Sequence, residues 1–493
     1  MNDDARRRAP ISPTSVLPGH RDLFYGGEWH RAAGGYANTI NPATGDDLGA
    51  CAIANAQDVD AAVKVAHAAF GQWRGMRPLD RAVVMREIAA RLRSHADELA
   101  LIDAANGGNP VAEMTGDVHA AAAQLDYFAG LVMEVKGETI PMGDGAVNMT
   151  LREPFGVCAR IVAYNHPLMF TAAKMGAPLA AGNTVIMKPP EQAPLSAYRM
   201  MEIIGDAAPP GVINIVTGGV ACGEALVAHP QVPRLALIGS VPTGRAIARG
   251  AAERLKHVTL ELGGKNACII HPDADVDKAI AGAVAGMNFT WCGQSCGSTS
   301  RVFVHASLHD RVVAGIVAAT KRFVPGLPTE RSTTMGALIS RAQLDKVERY
   351  IALGREQRAT LACGGERPRD PALANGFFMP PTVFTGVTQR MRIAQEEIFG
   401  PVLCVMPWTD AAQMLADVNA VDYGLSCSIW TRDLAVAHRT AASVDAGYVW
   451  INDTGRHFLG APFGGYKQSG QGREESFDEV LSYTQVKNVH IAL

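Results

Sequence analysis

Val157-Cys158-Ala159-Arg160-Ile161-Val162-Ala163 and, further on, Thr184-Val185-Ile186-Met187-Lys188 decide the fold of this chain. Both are short apolar runs that read as strands, and a helical stretch from about Pro167 separates them. The alternation goes on with a helix around 196–204, strand-like runs at 213–216 and 235–238, each bounded by Gly or Pro, and a last run at 258–262. Strand–helix–strand repeats of this kind close by right-handed crossovers into a parallel, doubly wound sheet. Such sheets take their ligands beyond the carboxyl ends of the strands.

Working outward, a second α/β series runs from Ala267 to about Trp450, with strands expected at 267–270, 301–304, 402–406, 425–430 and 448–451. Before the first series, residues 57–135 read as helices, with Ala61, Val65, Ala68 and Ala69, then Val84, Ile88 and Leu92, at helical spacing. Asn41-Pro42-Ala43-Thr44-Gly45 is a turn. The tail at 481–491 alternates as a strand beyond both series, and is expected to pair with another subunit.

A chain of 493 residues suggests roughly three units at about 150 residues each. With 48% hydrophobic and 19% charged residues it has material for large cores, and a net charge of −3 argues against a nucleic-acid surface. Nine cysteines are too sparse for a disulfide scaffold and suggest a reducing compartment. The charged start, Met1 to Arg8, is followed by no apolar core, so it reads as a solvated tail and not as a secretory signal. No run of about 18 apolar residues offers a membrane span. A soluble, cytoplasmic protein is expected.

The chemistry concentrates at two places. Cys296 stands in Gly293-Gln294-Ser295-Cys296-Gly297-Ser298, in the loop between a helix ending near Trp291 and the strand at 301. Glu261 stands in Glu261-Leu262-Gly263-Gly264-Lys265. A thiol and a carboxylate among small residues point to covalent thiol chemistry followed by activation of water. Spacing alone does not show that they meet. Cys292 invites a zinc or redox reading with Cys296, but no second Cys/His pair with ligand spacing accompanies them, so no metal site is expected. Gly239-Ser240-Val241-Pro242-Thr243-Gly244 follows a strand and opens a helix, a turn suited either to a phosphate or simply to the chain reversal. Lys188 and Glu191 close another strand and suit ribose hydroxyls or plain surface charge.

Several segments together resemble the NAD(P)-dependent aldehyde dehydrogenase superfamily, in the family's order and over nearly the whole chain. They are Glu153-Pro154-Phe155-Gly156-Val157, Tyr164-Asn165-His166-Pro167-Leu168, Met187-Lys188-Pro189-Pro190-Glu191 and Leu260-Glu261-Leu262-Gly263-Gly264-Lys265. Gly293-Gln294-Ser295-Cys296, Glu396-Glu397-Ile398-Phe399-Gly400-Pro401 and Pro462-Phe463-Gly464-Gly465-Tyr466-Lys467-Gln468-Ser469-Gly470 complete the set.

The resemblance implies an α/β fold of two doubly wound parallel-sheet domains and a small β oligomerisation unit. The expected bounds are 1–134 with 154–264 for NAD binding, 265–470 for catalysis, and 135–153 with 471–493 for association into a homodimer or homotetramer. By motif, Cys296 resembles the family's nucleophile, Glu261 its general base, Asn165 the side-chain donor of its oxyanion hole, and Lys174 a lysine near the active site. Glu397 resembles the acid that holds the nicotinamide ribose, Lys188 and Glu191 the adenosine-ribose contacts, and Gly239 and Ser240 the pyrophosphate turn. Gly244, Leu262, Gly263 and Phe399 fall in the same cofactor segments. The implied reaction turns an aldehyde into its acid through a thiohemiacetal and a thioester on Cys296.

The chain departs from the family in places. Leu237-Ile238 replaces the usual Phe-Thr before Gly239-Ser240, and Pro242 stands where an acid is common. His166 replaces an aromatic or apolar residue and reads as pocket lining. Glu191 would repel a 2′-phosphate, which favours NAD over NADP. Ala173 and Gly297 stand where relatives carry larger residues, which implies a wider tunnel. Phe170, Trp291, Ser295, His457 and Phe458 are candidate linings for it, and a bulky, aromatic aldehyde is expected. Arg456 is a candidate partner for a substrate carboxylate, against the plainer reading of a surface Arg. One rival is a CoA-acylating semialdehyde dehydrogenase, against which Glu261 argues. The other is a silent binding or structural protein on this scaffold, against which Cys296, Asn165 and Glu261 argue together.

Overall fold

A computed structural model describes residues 16–493. The Arg6–Arg8 run lies outside the described residues. Both expected sheets are present. In the first, five parallel strands lie in the order Ile213–Ile215, Thr184–Lys188, Val157–Ile161, Arg234–Ile238, His257–Glu261. The chain builds outward from Val157–Ile161 on one side, then returns to its other side, so the strand order reverses there. That reversal opens a crevice beyond the carboxyl ends of Val157–Ile161 and Arg234–Ile238. The strands Thr184–Lys188 and Arg234–Ile238 are buried at every position, which explains their continuous apolar runs.

The second sheet orders Thr360–Cys363, Thr382–Thr385, Val402–Trp408, Arg301–His305, Ala267–Ile270, Ser426–Trp430 and Tyr448–Ile451. All its pairings are parallel except the first. Its own reversal falls at Ala267–Ile270, the strand that follows Glu261, beside Arg301–His305, the strand that leaves the Cys296 loop.

Four helices fill 56–130, as expected, but the stripe on the first of them is shifted. In Ala56–Gly75 the buried face is Val59, Ala62, Val63, Ala66, Ala69 and Trp73, whereas Ala68 is exposed and Ala61 and Val65 are half-buried. The segment is so rich in alanine that periodicity marks the helix better than its face. Its start is fixed by a capping box, with Asn55 accepting from the Asp58 N–H and the Asp58 carboxylate accepting from the Asn55 N–H.

The expected tail strand is present. Thr484–Ala492 pairs antiparallel along its length with Ala146–Pro154 of the same chain, and Thr139–Ile140 adds a third strand. Gly470–Gln471 crosses back to pair with Leu260 and Glu261 at the edge of the first sheet, straddling the boundary expected at 470. Among the described residues no helix is long and apolar enough to cross a membrane.

Candidate active site

Glu261 ends the outer parallel strand of the first sheet, and Cys296 lies in the loop that feeds the second. The loop is tightly held. Asn266 Nδ2 donates to the carbonyls of Cys296 at 2.7 Å and Ser298 at 3.1 Å, while its Oδ1 accepts from the Ser426 N–H at 3.0 Å. Gly264 must be glycine, because a Cβ there would stand 2.6 Å from the Cys296 carbonyl. The geometry thus presents the Cys296 thiol on a rigid frame beside the Glu261 carboxyl.

The two groups perturb each other. Burial, then the Glu474 carboxylate, hold the Glu261 carboxyl well above its ordinary range, while Cys296 and Lys174 pull it down. Burial, then Glu261, hold the thiol up. Both shifts run the same way: burial disfavours either negative charge, each group disfavours a second charge beside it, and so each holds its own proton more tightly. Glu261 Oε1 is buried without a hydrogen-bond partner, an orphaned acceptor among the described residues.

Asn165 follows Val157–Ile161 at the point where the strand order reverses. Its main chain is fixed by Asn109 Nδ2, which donates to the Asn165 carbonyl at 2.9 Å. The Asn165 side chain is buried and makes no hydrogen bond among the described residues, leaving its amide free to donate.

Lys174 is fully buried and paired with Glu474 Oε2 at 3.0 Å. Glu474 Oε1 in turn accepts from Arg160 at 2.7 Å, and Arg160 also donates to Glu479 at 3.1 Å and to the Tyr483 hydroxyl. Lys174 therefore acts on Glu261 through the field of this network. Sequence reading missed Glu474, Glu479 and Arg160. A signal was present: an arginine in the middle of an apolar strand requires a buried partner. Nothing local revealed that the partners lie 314 and 319 residues away.

Most of the cofactor candidates stand at or just past the carboxyl ends of strands of the first sheet, and Glu397 and Phe399 come from the loop before Val402–Trp408. Gly263 and Gly264 pass so close to Glu397 that a Cβ on Gly263 would sit 2.1 Å from its Oε2, and the Gly264 N–H donates to its Oε1 at 3.1 Å. The Leu262 N–H donates to the Ser469 carbonyl at 3.0 Å. Phe399 adopts a left-handed φ of 55° and packs edge-on against Tyr164. Ser240 caps the helix Val241–Ala252, and Gly244 lets that helix close on Leu262. The Gly239 N–H is taken by the Glu261 carbonyl at 3.0 Å, so it serves the frame of the turn. Lys188 is buried at its strand end, and the exposed Glu191 lies 2.6 Å from where a Gly219 Cβ would be.

The expected pocket residues split into two groups. Phe170 and Trp291 converge on His166, with ring centroids 5.2 and 5.6 Å from the imidazole. His457 instead packs at a tilt on Phe463 at 4.4 Å and pairs with Glu475 at 3.0 Å, and Phe458 is exposed. Ser295 faces the small cavity shared with Glu397 and Phe399. Arg456 is exposed and only loosely paired with Asp453 at 3.7 Å. Ala173 shows no exposed surface and packs in the core, so it does not itself open space. Gly297 does, since a Cβ there would meet only Ser295 Oγ at 3.8 Å.

Known proteins share this architecture. The aldehyde dehydrogenase family profile matches residues 29–489. Aldehyde dehydrogenase tropH of Talaromyces stipitatus is 50% identical, covering 97% of this chain and 94% of its own. The NAD+ complex of an aldehyde dehydrogenase from Bacillus cereus superposes with a TM-score of 0.94 at 40% identity, over 98% of this chain and 99% of that one. An indole-3-acetaldehyde dehydrogenase mutant of P. syringae, in complex with NAD+ and IAA, gives 0.94 at 35% identity over 97% and 98%. Matched from end to end at such identities, the chain belongs to the aldehyde dehydrogenase family.

Proposed function

We propose that this protein oxidises a bulky, aromatic aldehyde to its acid with NAD, using Cys296 as nucleophile and Glu261 as base. The observation that carries the reading is the Cys296 thiol held beside the orphaned Glu261 carboxyl. Loss of the thiol proton to the carboxylate frees sulfur to bond the aldehyde carbon. The carbonyl π pair moves onto oxygen, where the Asn165 amide and the Cys296 N–H stabilise it. Bound NAD supplies the hydride acceptor that lets this adduct become a thioester. Once Glu261 has passed the thiol proton on to solvent, its carboxylate takes a proton from water, the hydroxyl oxygen bonds the acyl carbon, and the C–S bond breaks to return the thiolate.

The chain's own residues fit the dinucleotide. The Gly263–Gly264 backbone leaves Glu397 a cradle that any Cβ would fill, and the Ser240-capped helix offers its N-terminus to phosphate. Lys188 and Glu191 suit ribose hydroxyls, with Glu191 setting NAD above NADP. In this reading the first sheet carries the cofactor, the second the catalytic cysteine, and the three-stranded sheet of 139–154 and 484–492 the contacts between subunits.

The test is a panel of aldehydes with NAD, NADP and CoA, followed by reduced-nicotinamide absorbance. Ring-bearing aldehydes should exceed acetaldehyde in kcat/KM by about 10- to 200-fold, the reach of an apolar pocket. Preference for short aliphatic aldehydes would defeat the aromatic reading, and strict dependence on CoA would defeat hydrolysis. Glu191→Gln should raise the NADP-to-NAD ratio of kcat/KM by roughly 10-fold, the scale of one solvated charge contact. An unmoved ratio would remove Glu191 from cofactor choice.

A further inference from the structure

His166 is the residue of the pocket that the reaction above does not use. It caps the helix Pro167–Ala173, next to Asn165. Phe170 packs on one side of it, and on another Trp291, which precedes the Cys296 loop. Its Nδ1 is bound to Asp117 Oδ2 at 2.7 Å. Asp117 is buried in the helix Val111–Gly130, and Glu113 stands one turn earlier on the same face. Asp103 lies behind, its carboxylate accepting from the Leu168 N–H at 3.0 Å. Burial opposes a charge on the imidazole, but Asp117, Asp103 and Glu113 outweigh it and raise its affinity for a proton.

Two donors at this spot are unspent. The Asp117 contact fixes Nδ1–H, so a protonated ring presents Nε2–H, and Nε2 makes no hydrogen bond among the described residues. The Trp291 indole N–H is buried and also has no partner. A phenolic oxygen can accept from the His166 Nε2–H while its ring lies against Phe170 and Trp291. A carboxylate does not suit the site, because Asp117 already neutralises a protonated His166 and leaves no net positive charge for a second acid.

We propose that His166, oriented by Asp117, is a specificity-determining residue that binds the hydroxyl of a ring-hydroxylated aromatic aldehyde. The proposal rests on the aromatic reading of the substrate and narrows it. It leaves out Arg456, which is exposed and set beside Asp453.

The experiment compares 3-hydroxybenzaldehyde with benzaldehyde, as a ratio of kcat/KM, in wild type, His166→Phe, His166→Gln and Asp117→Asn. The wild-type ratio should favour the phenol, and His166→Phe should lower it by about 10- to 100-fold, the size of one charge-assisted hydrogen bond. The loss should fall mainly on KM. His166→Gln keeps an N–H donor and should recover part of it, and Asp117→Asn should lie between. Equal losses on both aldehydes would overturn the proposal, leaving His166 as wall alone. A wild type that oxidises both rings without preference would overturn it while sparing the aromatic reading. Neglect of both rings in favour of short aldehydes would sink the two together. A selective loss of trimethylammonioacetaldehyde in Asp117→Asn would replace the phenol with a cation.

Discussion

Cys296→Ala should abolish aldehyde oxidation, with kcat/KM falling at least about 10⁴-fold, because every turnover begins with a bond to this sulfur. No other thiol can stand in. Cys292 is buried and turned away, its Sγ donating to the Gly336 carbonyl at 3.1 Å, and Cys404 lies within the second sheet with its Sγ toward the Ile393 carbonyl. Folding should survive, since the frame of the loop depends on the Cys296 carbonyl and Asn266 rather than on the thiol. The measurement is steady-state reduced-nicotinamide formation beside a melting curve and a cofactor-binding isotherm. A variant that binds NAD, melts normally and still oxidises aldehyde would remove Cys296 from the mechanism.

Glu261→Gln should divide the reaction in time. A burst of about one reduced nicotinamide per site should persist, while steady turnover falls by about 10²–10⁴-fold, the usual contribution of a general base. The pH dependence follows from the sign of the shift. A base works deprotonated, and burial with Glu474 nearby holds the Glu261 carboxyl well above its ordinary range. Wild-type turnover should therefore rise with pH along a limb displaced upward from ordinary carboxylates, and the Gln variant should lose that limb. Glutamine also removes an ionisable group from a dry site, so its Tm should match or exceed the wild type. An unchanged steady rate would reject Glu261 as the base.

The parts of the fold most legible in the sequence were those whose burial is complete. Thr184–Lys188 and Ala267–Ile270 are covered on both faces, so every position is apolar or satisfied by the sheet, and the run announces its own ends. Glu28–His30, Tyr36–Ile40 and Asp47–Ala52 went unread because they are short edge strands and hairpins with mixed exposure, and Leu23–Tyr25, though buried, is only three residues long. Thr360–Cys363 is half-buried at most and carries a bulge, which blurs its alternation.

Legibility at the site follows a different rule. Cys296 and Glu261 showed their chemistry through small neighbours, and Gly263 and Gly264 prove to be small because Glu397 and the Cys296 carbonyl press on them. The split of the aromatic residues was not readable. Whether a ring joins His166 or Phe463 depends on loop paths that no periodicity encodes.

The short strand Gly470–Gln471 and the acids that follow it give the chain an order of maturation. Arg160 and Lys174 belong to the first sheet and its crossover, yet their counter-charges, Glu474 and Glu479, are made some three hundred residues later. Until those acids emerge from the ribosome, the half-made sheet encloses two cations with nothing to neutralise them. An uncompensated buried charge costs about 3–5 kcal/mol. The first sheet therefore settles only once the C-terminal segment docks, and the edge beside Glu261 is the last part of it to close.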